Sequence, residues 1–65
     1  MRILLNGVFE ETTAVTLADL LESHKFDHGR VATALNGTFI RRDQRATTPL
    51  QEGDAVEIVA PMQGG

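Results

Sequence analysis

The stretch Met1-Arg2-Ile3-Leu4-Leu5-Asn6-Gly7-Val8-Phe9-Glu10-Glu11-Thr12 decides how the rest of the chain is read. Residues 1–5 are an apolar run whose only charge is Arg2, and a second strand-like run, residues 8–12, follows Asn6-Gly7. Asn and Gly both tolerate positive φ, so an Asn-Gly loop between two such runs predicts a tight antiparallel hairpin. The signal recurs at Asn36-Gly37, between residues 31–35 and 38–41, and predicts a second hairpin.

Between the hairpins lies the one predicted helix. Thr16 can cap it with its hydroxyl, and Asp19 sits three residues on, where a negative charge favours a helix start. Leu17, Leu20, Leu21 and His24 recur at helical spacing and predict one apolar face. Lys25 suits the helix end, and Asp27-His28-Gly29 reads as loop. After the second hairpin, residues 43–48 are polar and read as irregular, and residues 49–54 as a turn punctuated by Pro49 and Gly53. Residues 55–60 are a last strand rich in Val and Ile, ended by Pro61, which cannot donate a ladder hydrogen bond.

The order hairpin, helix, hairpin, loop, strand predicts an α+β fold: a mixed sheet of four to five strands with one helix packed on one face. If the last strand lies beside the first, the pair is parallel and central, and the helix makes a right-handed crossover. Residues 1–60 then form one domain and residues 61–65 a flexible tail ending in Gly-Gly. Alternation puts Met1, Ile3, Leu5, Val56 and Ile58 in the core with the helix leucines. Leu4 and Val59 fall on the opposite face. Isolated exposed apolar residues are ordinary, yet two of them at the centre of a sheet also suit a docking site for a partner protein.

With 65 residues and no cysteine, the chain builds a small core without disulfides and offers neither a thiol nucleophile nor a Cys-based zinc site. The absence of cysteine suits a cytoplasmic protein. A net charge of −3 with no basic stripe disfavours nucleic acid. No apolar run approaches the ~20 residues of a membrane-spanning helix, so no membrane role is expected. His24 and His28 stand four apart, a spacing that binds metal on a helix, but Asp27 and Gly29 end the helix first, so the pair reads as exposed loop and no metal is expected. Arg41-Arg42 reads as a solvated strand end. No cluster suggests a catalytic residue of the chain's own.

The tail Met62-Gln63-Gly64-Gly65 is different. Glycine has no Cβ, so two glycines let backbone enter a narrow channel where side chains would clash. Ala60, before Pro61, is biased to extended geometry. Terminal glycines can also be plain disordered ends. The reading gains force from the hairpin-helix-hairpin-strand order that precedes them.

Over its whole length the chain resembles the ThiS family of sulfur carriers, which have the β-grasp (ubiquitin-like) fold. The resemblance is carried by Met1-Arg2-Ile3-Leu4-Leu5-Asn6-Gly7, Thr16-Leu17-Ala18-Asp19-Leu20-Leu21, residues 31–41 with Asn36-Gly37, residues 50–58, and Gly64-Gly65. It is similar, more distantly, to the MoaD carriers of molybdopterin synthesis. Met62-Gln63 departs from the aliphatic and small residues that relatives more often place before the glycines.

The resemblance implies that the chain is a co-substrate rather than an enzyme, with no cofactor of its own. The carboxylate of Gly65 would be adenylated by a ThiF-like adenylyltransferase using ATP and Mg. A cysteine desulfurase or other donor would supply sulfur, and the resulting thiocarboxylate would serve a ThiG-like thiazole synthase. Gly64, Gln63 and Met62 would be read by the partners, with Leu4 and Val59 as docking residues. A molybdopterin-type sulfur carrier, a ubiquitin-like protein modifier and a plain interaction module are the alternatives.

Overall fold

The computed structural model describes residues 1–61. Its elements are β1 (Arg2–Leu5), β2 (Val8–Glu11), α1 (Leu17–Ser23), β3 (Ala32–Leu35), β4 (Thr38–Ile40), a 3-10 helix (Arg42–Thr47) and β5 (Ala55–Val59). The five strands form one sheet in the order β2-β1-β5-β3-β4. β5 is central and runs parallel to β1, while every other neighbouring pair is antiparallel. This is the mixed sheet expected from the element order.

Both Asn-Gly loops close two-residue hairpins, with φ of 49° and 83° at Asn6 and Gly7 and of 50° and 84° at Asn36 and Gly37. These are the left-handed values that match the twist of the flanking strands. The turns fix the registers Leu5↔Val8 and Leu35↔Thr38, and every other pair in each hairpin follows from them.

The helix begins where its cap places it. Thr16 Oγ1 accepts from the Asp19 N–H at 3.1 Å, and the Asp19 carboxylate accepts from the Thr16 N–H at 3.2 Å, so aspartate completes a capping box more usually closed by Glu or Gln. The far end closes earlier than the apolar spacing suggested. Lys25 takes φ 60°, the Phe26 N–H donates to Leu21 O at 2.9 Å, and the Lys25 N–H donates to Glu22 O at 3.0 Å. This Schellman closure is usually built on glycine; here Lys25, the residue expected at the helix end, takes the positive φ. His24 is therefore the C-cap and exposed rather than part of the apolar face.

Ile3, Val56 and Ile58 of the sheet meet Leu17, Leu20 and Leu21 of α1 in the core, with Ala14 and Leu50 from the connecting segments. Leu5, Phe26, Val31, Leu35 and Ile40 are half-buried around them. Met1 departs from the alternation. It precedes β1 and is exposed, its amine donating to Thr12 O at 2.8 Å. The segment read as irregular is instead a 3-10 helix, and its Arg45 is 2% exposed. Burial and the neighbouring Arg42 lower the Arg45 pKa from its ordinary value. Three acceptors surround this guanidinium: Thr33 Oγ1 at 3.0 Å, His28 O at 2.8 Å and Val31 O at 2.8 Å. Arg45 thereby ties the loop after α1 to β3. Among the described residues, no helix is long and apolar enough to cross a membrane.

Candidate functional site

Directly paired residues on neighbouring strands point to the same side of a sheet. The registers Leu4↔Phe9, Leu4↔Ala55, Ala34↔Glu57, Ala34↔Phe39 and Ala32↔Val59 therefore define the face opposite α1. Leu4 is half-buried in its row between Phe9 and Ala55, and Val59 is 63% exposed at the end of the central strand. The expectation that both lie away from the helix holds, although Leu4 is less open than expected.

The face is broader than these two residues. Phe9 on β2 and Phe39 on β4 are 60% and 64% exposed and stand on opposite flanks of the sheet. Small side chains, Ala55, Ala32 and Ala34, lie between them on the inner strands. The Arg2 guanidinium lies 4.4 Å from the Phe9 ring centroid, a cation–π arrangement that covers part of one flank. Glu57 is an exposed carboxylate among these apolar groups. The two phenylalanines were missed in the sequence although their signal was present. A two-residue loop at Asn6-Gly7 or Asn36-Gly37 puts Phe9 beside Leu4 and Phe39 beside Ala34 by counting outward from the turn.

β5 leads out of the sheet beside this face. It ends at Val59, and Ala60 and Pro61 follow it, exposed. The tail residues Met62, Gln63, Gly64 and Gly65 lie outside the described residues.

The remaining titratable groups form no comparable site. His24 Nε2 meets Glu10 Oε2, joining the end of α1 to the edge strand β2 beside a shallow depression bordered by Met1. His28 is half-buried with its Nε2 3.9 Å from Glu22 Oε2, too far for a hydrogen bond, and that nitrogen has no hydrogen-bond partner. The two histidines thus have separate carboxylate neighbours, where the sequence suggested an exposed loop pair. Arg41 pairs with Asp43 at 3.0 Å, as an exposed strand-end residue can. Among the described residues, no group of three or more His, Asp or Glu side chains gathers to hold a metal ion.

Comparison with known proteins agrees with this architecture. The model of the ThiS family matches residues 3–65. The chain is similar to a crystal structure of a thiamine biosynthesis protein (ThiS) from Geobacter metallireducens, at 29% identity and a TM-score of 0.85, covering 100% of both chains. It is equally similar to an NMR solution structure of a thiamine biosynthesis protein from Geobacter metallireducens, at 29% identity and a TM-score of 0.85, covering 100% of this chain and 88% of that one. The comparison with curated proteins returns no match.

Proposed function

The chain belongs to the ThiS family and has its β-grasp fold, and from that premise we propose that it is a sulfur carrier of thiamine biosynthesis whose working group is the carboxylate of Gly65. One observation carries the reading: the family match runs through the last residue, so it includes Gly64-Gly65 as well as the folded body. The chemistry follows from what a carboxylate lacks. Direct attack on it must expel oxide, which is a very poor leaving group. An adenylyltransferase using ATP and Mg lets a carboxylate oxygen attack the α-phosphorus and release pyrophosphate. The acyl-adenylate then has AMP as its leaving group.

A persulfide sulfur attacks the carbonyl carbon and expels AMP. Cleavage of the remaining S–S bond by a thiol, a two-electron reduction, leaves the thiocarboxylate. Its soft, nucleophilic sulfur is suited to transfer onto the precursor of a thiazole ring. This divides covalent catalysis between proteins. The carrier contributes recognition and reach, and its partners contribute acid, base and metal.

Gly64 and Gly65 admit the tail to the activating site, and Gln63 and Met62 are read at its entrance. The outer face of the sheet, with Leu4, Val59, Phe9 and Phe39, is the docking surface for the adenylyltransferase or the thiazole synthase. Such a partner needs an apolar surface with a cationic group set against Glu57. The test is mass spectrometry after incubation with an activating enzyme, a sulfur donor and Mg-ATP. The expected product carries one sulfur in place of one oxygen at Gly65. Recovery of the protein only unmodified or joined to lysines would contradict the carrier role.

A further inference from the structure

We propose that Asn6 is a positioning residue for the C-terminal tail, its side-chain amide holding the exit of β5 where β1 no longer can. The proposal rests on the sulfur-carrier reading. β1 pairs with β5 only through Leu4↔Ala55 and Leu5↔Val56. The Asn6 N–H then donates to Val56 O at 2.9 Å, and the chain turns away through Gly7 into β2. β5 continues through Glu57, Ile58 and Val59, with no β1 backbone registered beside it.

The Asn6 side chain occupies that place. Its Oδ1 accepts from the Ile58 N–H at 2.9 Å, and its Nδ2 donates to Ile58 O at 3.1 Å. A carboxamide has the acceptor and donor of a peptide group, so it can add one more rung to the ladder. Both bonds are partly buried, where unpaired backbone groups are costly.

Asn36 provides an internal control. Its turn has the same backbone geometry, but its side chain works at the other end of β5. There Oδ1 accepts from the Ala55 N–H at 2.9 Å and Nδ2 donates to Asp54 Oδ1 at 3.0 Å. Loss of the Asn6 amide would leave the β1 side of β5 secured only as far as Val56. β3 still registers Glu57, Ile58 and Val59 through Ala34, Thr33 and Ala32, so the exit of β5 would stay paired but be held from one side only, free to shift by about 1 Å. A misplacement of ~1 Å in a rigid system can cost about a hundredfold in rate. The shift here is at Ile58 rather than at the reacting carboxylate, and about tenfold is the expected effect.

The experiment compares wild type, Asn6→Gly, Asn6→Asp and Asn36→Gly. Glycine keeps the positive φ of both turns while removing the side-chain bonds. Asp keeps the acceptor for the Ile58 N–H and loses the donor to Ile58 O. Readouts are kcat and KM of the carrier in ATP-dependent thiocarboxylation, hydrogen exchange at the Ile58 amide, and melting temperature. Asn6→Gly is expected to lower kcat about tenfold with KM within about twofold, and to speed Ile58 exchange. Asn6→Asp should fall between it and wild type. Asn36→Gly should keep kcat within about twofold of wild type, even where its melting temperature falls as far.

Wild-type kcat in Asn6→Gly, or equal losses in Asn6→Gly and Asn36→Gly, would overturn the positioning role while leaving the carrier reading intact. A wild-type protein that forms no thiocarboxylate would remove the carrier reading and this proposal with it.

Discussion

The β1–β2 and β3–β4 hairpins are nearly the same object locally. Each turns through Asn-Gly with matching φ values and sets a phenylalanine on the outer face, Phe9 or Phe39. What differs is direction. β1 runs parallel to the central strand and β3 antiparallel, so one turn lies beside the exit of β5 and the other beside its entrance. Identical turn chemistry thus acquires two tasks from topology. The inner faces differ as well. Beneath the first hairpin, Ile3 is fully buried in the apolar core. Beneath the second, buried Thr33 accepts from Arg45 and donates to Ile40 O at 2.8 Å. One half of the sheet is supported by apolar packing and the other partly by a buried polar network.

The largest effect should come from the apolar half. Ile3→Ala removes a side chain with no exposed surface and should cost roughly 2–5 kcal/mol, read by chemical denaturation. For a domain of marginal stability that is a large share of the total. A cost below about 1 kcal/mol would mean that the two halves do not differ as described.

The polar half should respond less. Arg45→Met keeps much of the side-chain length but leaves His28 O, Val31 O and Thr33 Oγ1 without their donor, for an expected loss of roughly 1–3 kcal/mol. Because the loop after α1 depends on these bonds, amide exchange should rise most around residues 28–33. A uniform rise across the domain would show that Arg45 acts on global stability instead.

The outer face should show the smallest effect on stability. Phe9→Glu and Phe39→Glu change exposed side chains and should each alter stability by about 0.5 kcal/mol or less. Titration against the activating enzyme or the thiazole synthase should nevertheless show weaker binding, by about 1–2 kcal/mol for a residue inside the footprint. Equal weakening would extend the footprint across the whole sheet, and weakening by one alone would confine it to one hairpin. No weakening by either would remove the outer face from recognition.

Local chemistry made much of this molecule legible in its sequence. The two Asn-Gly loops announced both hairpins, and Thr16 with Asp19 announced the helix start, because each signal acts within a few residues. The central, parallel placement of β5 was legible only as a condition: a last strand lying beside the first would be parallel to it and central. What escaped notice depends on distant partners. Arg45 is a residue type expected at the surface, and its three acceptors come from elsewhere in the chain, so nothing nearby signals its burial. The polar 3-10 helix has no apolar periodicity to read. Lys25 was legible at the helix end, but its positive φ was not, because glycine is the usual sign there. At the candidate site, Leu4 and Val59 were found by alternation. Phe9 and Phe39 required the further step of counting register from each turn. The side-chain roles of Asn6 and Asn36 required the sheet order.

The central claim is that the Gly65 carboxylate is the working group, and moving that carboxylate tests it most directly. One residue added beyond Gly65 shifts it by ~3.3–3.6 Å along an extended chain. The measurement is mass spectrometry of this extended variant beside wild type after incubation with activating enzyme, sulfur donor and Mg-ATP, with melting temperatures recorded for both. The extended protein should keep the wild-type melting temperature and lose thiocarboxylate formation. Sulfur transfer to the extended protein at the wild-type rate would contradict the central claim.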